Sequence, residues 1–395
     1  NMKYHTKRRT AIMKKLSFFL VMILTLQIFT FHIYADDHGT SICDTTQTNQ
    51  PSVTAKSAIL MDANSGEILY SKNINTKRYP ASITKIMTTL VAIENCKSLY
   101  ETVTYSEHAI NSIEPGSSQI YILPGEKLTL EESLYAIMLE SANEACNGVA
   151  EHIGGSIEGF VDMMNAKAKE IGCTNTHFMN PNGLHNDDHY VTAHDMALIT
   201  KTALSNPTFR KIASTISYTI PSTNKQKQQR PLWNHHKMVK KTMFNFDGVE
   251  GGKTGFTVMA RNTLVTWAKR DGLELICVVL RDNGYECYGD TLKLLNYGYK
   301  NYKAYTPLTH HTFAISDFES ESSDLLIENI KTFSPYTLTV DGDTSYSILM
   351  NKSTDASSIQ KEVSYDEKSK SNVFNLYCNK KKIGSVPFTL TMERP

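Results

Sequence analysis

Three short motifs, far apart in the chain, constrain what it can fold into, because their side chains are useful only if they meet. They are Ser82-Ile83-Thr84-Lys85, Ser141-Ala142-Asn143 and Lys253-Thr254-Gly255. The first sits where a helical pattern begins, the second between two helical patterns, and the third just before an apolar, strand-like run. A fold that uses all three must therefore bring a helix start, a helix junction and a strand edge to one point.

The surrounding pattern suits such a fold. Ser57-Ala58-Ile59-Leu60-Met61-Asp62 and Ile68-Leu69-Tyr70 flank Asn64-Ser65-Gly66, a hairpin signal. Helical spacing then predicts helices over about 82–95, 129–139, 144–153, 157–171 and 193–205. Thr129 with Glu131 and Glu132 in the following turn marks a helix start. Strand patterns return at 263–267 and 273–280 around the Asp271-Gly272 turn, and a helix is predicted over about 290–300. Strands, many helices, then strands read as an α+β fold built on an antiparallel sheet. Alternating runs after residue 305 read as a small all-β domain at 305–395. The preceding catalytic domain is expected over 56–304.

The amino-terminal part reads differently. Lys14-Lys15 precede an apolar run over about 16–31, and Ala35 precedes Asp36-Asp37. A basic segment, an apolar segment and a small residue describe a secretory signal peptide over 1–35, with Met13 as the better start. A membrane anchor is the competing reading, but Thr25 and Gln27 interrupt a run that is short for a span. Residues 36–55 are polar and read as a linker.

At 395 residues, 41% hydrophobic and 21% charged, the chain is long enough for a large core. A net charge of +1 with no long basic block argues against nucleic acid as a partner. The seven cysteines are scattered, without a Cys-x-x-Cys pair, and do not resemble a disulfide framework.

Ser82 and Lys85, three apart, share one helix face, so a hydroxyl and an amine can meet. Serine becomes a nucleophile only when a base takes its proton, and lysine serves if burial lowers its pKa. A capped helix with a solvent lysine is the structural alternative. Ser141 and Asn143 can face one side, a hydroxyl to relay a proton and an amide to donate and accept. Their alternative is a helix cap, since both types favour that position. At the third motif a strand edge can bind an extended peptide, and Gly255 permits close approach. Lys253 and Thr254 suit a carboxylate. Together the three point to acyl transfer on a peptide or β-lactam.

A phosphate loop ending at Gly252-Lys253-Thr254 is excluded. Asp247 stands where such a loop needs glycine, and a strand pattern follows instead of a helix. His185, His189 and His194 lie near Asp187, Asp188 and Asp195 but match no zinc spacing. That stretch reads as a hydrogen-bonded loop, with no metal and no cofactor expected. His235-His236 beside Trp233 read as a polar surface loop.

With these segments in view, the chain resembles the serine-type D-alanyl-D-alanine carboxypeptidases, the low-molecular-mass penicillin-binding proteins of peptidase family S11. The resemblance rests on Tyr79-Pro80-Ala81-Ser82-Ile83-Thr84-Lys85-Ile86-Met87-Thr88, on Asn180-Pro181-Asn182-Gly183-Leu184 with Tyr190-Val191-Thr192-Ala193-His194-Asp195-Met196-Ala197, and on Asp247-Gly248-Val249-Glu250-Gly251-Gly252-Lys253-Thr254-Gly255-Phe256-Thr257. It implies the penicillin-binding-protein/β-lactamase-like fold, an antiparallel sheet with a helical subdomain, followed by a small all-β domain. It implies Ser82 as nucleophile and Lys85 as base, with Ser141 and Asn143 positioning and relaying protons. The N–H groups of Ser82 and Phe256 would form the oxyanion hole. Lys253, Thr254 and Gly255 would hold the substrate end.

The implied partners are peptidoglycan stem peptides ending in D-Ala-D-Ala and β-lactam antibiotics, met in the cell envelope by a secreted or wall-associated protein. Two departures stand out. Relatives often carry an arginine just before an aromatic near the last helix, and Cys287 before Tyr288 fills that slot here. Arg261, where relatives usually have glycine, is the expected substitute. A β-lactamase on the same fold is one alternative, although no Glu-x-x-x-Asn segment is evident. A non-catalytic wall-binding or penicillin-sensing protein is another. An unrelated serine peptidase would need a Ser-His-Asp set, and no Gly-x-Ser-x-Gly elbow occurs around Ser82.

Overall fold

The computed structural model describes residues 50–306, 311–314, 337–342, 347–366, 370–378 and 380–393. The expected signal peptide and the linker up to residue 49 lie outside these. Among the described residues no helix is long and apolar enough to cross a membrane.

The central sheet contains β1 (Ser57–Asp62), β2 (Ile68–Lys72), β3 (Val249–Thr257), β4 (Arg261–Arg270) and β5 (Leu273–Asp282) in the order β2-β1-β5-β4-β3, every pair antiparallel. β1 and β5 are buried almost throughout, which is why both read as continuous apolar runs. Their residues alternate between two cores. Ile59, Met61, Ile276 and Val278 face the helical region, while Ala58, Leu60, Leu275 and Val279 face the carboxy-terminal helix. Asp271 (φ 50°) and Gly272 (φ 79°) both take the left-handed conformation that a tight two-residue hairpin turn needs.

The helical region includes α1 (Lys85–Asn95), α2 (Leu130–Tyr135), α3 (Asn143–Gly154), α4 (Ile157–Ile171), α5 (Ala193–Leu204) and α6 (Pro207–Ser214), with a short helical turn at Glu107–Asn111. Thr129 caps α2 with its hydroxyl on the Glu132 N–H, and the Glu132 carboxylate returns to the Thr129 N–H. The helix α7 (Glu286–Asn301) closes the opposite face of the sheet, beginning four residues earlier than expected. At Gly298 a Cβ would stand 2.5 Å from Leu275 and 2.9 Å from Leu60, so the helix lies tight on the sheet.

Three sequence expectations need adjustment. Val53 and Ala55 are buried, and the Asp290 carboxylate accepts from the Thr54 and Ala55 N–H groups, so residues 53–55 of the expected linker pack on the fold. The predicted helix over 82–95 opens with a 3-10 turn, Ala81–Thr84. The predicted helix over 129–139 ends in a π turn, Ala136–Glu140.

Beyond α7, Tyr302–Tyr305 pairs with Ile348–Asn351, a ladder that spans the boundary expected at residue 304. The second large sheet holds β6 (His311–Ala314), β7 (Thr337–Gly342), β8 (Gln360–Asp366), β9 (Ser371–Cys378) and β10 (Lys381–Glu393) in the order β6-β7-β10-β9-β8. The fold is thus the α+β arrangement expected, with a small carboxy-terminal β region.

Candidate active site

The three motifs meet. Ser82 lies in the 3-10 turn that leads into α1. A 3-10 helix has three residues per turn, so positions three apart stack directly. Lys85 Nζ accordingly sits 3.0 Å from Ser82 Oγ. Pro80, not Ser82, occupies the cap position, and Lys85 is fully buried, so neither the capping role nor the solvent lysine applies. Lys85 also donates to Asn143 Oδ1 (2.7 Å) and to the Asn182 carbonyl (2.5 Å). Both of those oxygens only accept. An unprotonated amine therefore spends its two N–H groups on them and turns its lone pair to the Ser82 hydroxyl. Burial pulls the Lys85 pKa down to about 8, partly opposed by the Cys146 thiol and the Glu144 carboxyl nearby.

Ser141 and Asn143 sit where the π turn gives way to α3. Ser141 takes a left-handed conformation (φ 60°, ψ 30°). Such a residue costs about 1–3 kcal/mol and persists only when its surroundings hold it. Ala142 is the cap of α3 and no side chain caps it, which frees Ser141 and Asn143 from that role. Asn143 N–H donates to the Ser118 carbonyl (2.9 Å), and its side chain serves Lys85.

β3 forms the edge of the sheet, so part of its backbone hydrogen-bonding capacity faces the site. Lys253, buried, donates to Ser141 Oγ (3.1 Å) and to the Thr254 carbonyl (3.2 Å). Burial first, and the Lys85 charge second, bring its pKa to about 7. A Cβ on Gly255 would lie 2.3 Å from Thr263 Oγ1 and 2.9 Å from the Ser82 nitrogen. Glycine there lets the strand reach the backbone of the Ser82 turn. Thr263 Oγ1 donates to the Pro80 carbonyl (2.8 Å), tying that turn to the sheet.

Phe256 is exposed on the same edge. Arg261 also is exposed, with φ 57°, and pairs with Thr257. Thr257 lies three residues past Thr254, about 10 Å further along the strand. Arg261 therefore stands on the other side of Phe256 from Lys253 and Thr254. Cys287 is buried, its thiol donating to the Gly284 carbonyl (3.2 Å).

Several supporting groups had no role assigned from sequence. The Asn182 carbonyl holds Lys85, and Asn182 Nδ2 donates to Asn147 Oδ1 (3.1 Å), itself anchored to the Ala109 carbonyl. Gly183 (φ 86°) lies so close that a Cβ would stand 2.0 Å from the Ala81 carbonyl. The turn signal at Asn180-Pro181-Asn182-Gly183 marked this segment without showing what it touches. His189 is buried behind the Ala81–Thr84 turn. Its Nδ1 accepts from the Met179 N–H (3.2 Å), so Nε2 carries the proton toward Thr84 Oγ1 (3.0 Å), and burial holds its pKa at about 3. His177 and His194 bond the Asp188 carbonyl and Asp195 respectively.

His236 does not lie on the surface as expected. It is buried, 2.9 Å from Thr266 Oγ1, in space left open by Gly252, where a Cβ would meet its ring at 2.6 Å.

An edge strand, a serine–lysine pair at a helix start and a second buried lysine on a serine thus meet between a sheet and a helical region, an arrangement with the chemistry that acyl transfer needs. The profile of the peptidase S11 family, D-alanyl-D-alanine carboxypeptidase, matches residues 44–284. D-alanyl-D-alanine carboxypeptidase DacF of Bacillus subtilis (strain 168) is 32% identical over 359 residues, 89% of this chain and 85% of that protein. DacC of Escherichia coli (strain K12) is 33% identical over 65% of this chain, which spans 64% of that relative. Among solved structures, the Streptomyces K15 DD-transpeptidase superposes with a TM-score of 0.61 at 29% identity, covering 64% of this chain and 100% of that one. The chain belongs to the peptidase S11 family of D-alanyl-D-alanine carboxypeptidases.

Proposed function

We propose that this protein is a serine-type D-Ala-D-Ala carboxypeptidase that removes the terminal D-alanine from peptidoglycan stem peptides through an acyl-enzyme on Ser82. The observation that carries the reading is the Lys85 amine, 3.0 Å from Ser82 Oγ with its other contacts on two oxygens that only accept. Ser82 Oγ attacks the carbonyl between the two D-alanines while Lys85 takes its proton. The N–H groups of Ser82 and Phe256 receive the developing oxyanion, an interaction worth about 10²–10³ in rate per donor. The C–N bond breaks, and a proton passed through Ser141 from the lysine pair leaves with the amine of D-alanine. Water then adds to the ester, the same lysine accepting its proton, and Ser82 is restored. Lys253 and Thr254 hold the substrate carboxylate. A β-lactam enters by the same attack and leaves slowly.

We infer an extracytoplasmic, cell-envelope location, which rests on the amino-terminal apolar run and on the substrate of the family. The test incubates the protein with fluorescent penicillin, maps the adduct by mass spectrometry and assays D-alanine release from a peptide ending in Lys-D-Ala-D-Ala, with Ser82→Ala as control. An adduct on Ser82 together with Ser82-dependent release is expected. Release only when an amine acceptor is added would make the protein a transpeptidase. An adduct without any release would make it a penicillin sensor. Neither signal from a folded protein would end the catalytic reading.

A further inference from the structure

The sheet ends beside the site in a basic cavity that the reaction does not use. It encloses about 370 Å³ between the residues leading into the nucleophile turn, the tip of the β3–β4 hairpin and the end of β5. Tyr79 contributes from the nucleophile side, and Met259 and Ala260 from the hairpin. Lys77, Arg78 and Arg281 bring three positive charges, against the single carboxylate of Asp187. That carboxylate is exposed and already serves His185 Nε2 (3.4 Å) and the Tyr79 hydroxyl (3.4 Å).

Among the described residues neither arginine has an acidic partner. Arg78 Nε donates to Ser57 Oγ (3.1 Å), and Lys77 Nζ lies 4.0 Å above the Tyr190 ring. The two guanidinium groups are near enough that Arg281, after burial, lowers the pKa of Arg78. Three positive charges against one carboxylate leave an excess that favours an arriving anion. The backbone also aims Arg281. The β4–β5 register shifts between Asn262 and Leu264, and Arg281 in the resulting bulge takes φ 56°. Bulges re-aim side chains at the ends of strands.

The order of groups along β3 gives the anion a source. On the function proposed above, on which this inference rests, the substrate carboxylate lies at Lys253 and Thr254 and the scissile carbonyl at Phe256. The chain amino-terminal to that carbonyl must then run on past Thr257 toward the hairpin tip. It would pass the exposed Phe256, Val258 and Met259. A peptide advances about 3.3 Å per residue, so two or three residues carry it to the cavity. We propose that the cavity formed by Lys77, Arg78 and Arg281 binds a side-chain carboxylate of the donor peptide, two or three residues before the scissile bond, and makes the enzyme selective for acidic stem peptides.

The test uses the full chain and a pair of peptides ending in D-Ala-D-Ala, one with a free side-chain carboxylate at that distance and one with the same group as its amide. D-alanine release is measured alongside protection of Ser82 from fluorescent penicillin, which needs binding alone. The acidic peptide should show roughly tenfold higher kcat/KM and protect at lower concentration. Arg281→Gln should shrink that ratio to about twofold or less, and Lys77→Gln, a change at an exposed residue, should shrink it partly. Equal kcat/KM and equal protection by the two peptides in the unaltered protein would overturn the proposal. So would a preference that survives both substitutions. If no peptide releases D-alanine, the carboxypeptidase reading fails, and the protection ratio still decides whether the cavity binds carboxylates.

Discussion

Gly255 faces the backbone nitrogen of Ser82 so closely that a Cβ at this position would stand 2.9 Å away. The same Cβ would lie 2.3 Å from Thr263 Oγ1, the hydroxyl that ties the Pro80 carbonyl to the sheet. One missing methyl group therefore sets the gap between the edge strand and Ser82. Gly255→Ala must push β3 away from the turn, and a displacement near 1 Å at a reacting centre costs about 10²-fold in rate. Penicillin acylation of Gly255→Ala should fall by about that factor. Its melting point should drop by the equivalent of about 1–3 kcal/mol, as for an overfilled core. Stopped-flow acylation and thermal unfolding measure the two separately, and unchanged acylation would refute the contact.

Acylation should depend on pH through Lys85. Burial lowers its pKa to about 8, below which the amine carries a proton and cannot take one from Ser82. The second-order acylation rate should therefore rise about tenfold per pH unit well below 8 and level off above it. Asn143→Ala removes an acceptor that favours the ammonium form, so the midpoint should move to lower pH as the rate falls. A profile flat from pH 6 to 9 would remove Lys85 as base.

How much of this site was legible before the structure depends on the kind of group involved. Side-chain chemistry was legible: Ser82, Lys85, Ser141, Asn143 and Lys253 converge because each motif carries its own functional group. Backbone groups carry no such mark. The Asn182 carbonyl holds Lys85, yet only the turn-forming residues around it show in the sequence.

The same division runs through the fold. The Thr129 capping box and the Asp271-Gly272 turn were readable because their residue types match their geometry. The helix α6 has an equally plain start, Asn206 as cap with Pro207 in its first position. The π turn before Ser141 has no local signature, since Ala136-Ile137-Met138-Leu139-Glu140 reads as ordinary helix. His236 reads as polar and is buried because Gly252, sixteen residues further along the chain, leaves room for the ring.

Asn147 should matter for catalysis without touching substrate. Its amide accepts from Asn182 Nδ2 and donates to the Ala109 carbonyl and Ser112 Oγ, so it fixes the segment whose carbonyl holds Lys85. Asn147→Ala leaves buried partners unpaired and should cost about 1–3 kcal/mol in unfolding free energy. If Asn147 positions Lys85, the acylation rate should fall and its pH midpoint should shift as well. A loss of stability with an unaltered pH profile would assign it a purely structural role.

The loop that supplies the Ser118 carbonyl to Asn143 depends on a different buried group, Glu126. This fully buried carboxylate accepts from Arg230 (2.5 Å), Thr223 Oγ1 (2.7 Å), Gln226 Nε2 (3.0 Å) and the Leu123 N–H (2.8 Å). It thereby joins residues 123–126 to the Arg230–Trp233 strand and the turn before it. Removing one partner of a buried ion pair strands the other, at about 3–5 kcal/mol. Glu126→Ala should lose that much in urea unfolding. The double change Glu126→Leu with Arg230→Met removes both charges and should recover a large part of it. Acylation should also slow in the single variant, because the segment carrying Ser118 and Ile120 loses its anchor below Asn143 and Glu144. Equal stability of the single and double variants would show that the charge pair does not hold this loop.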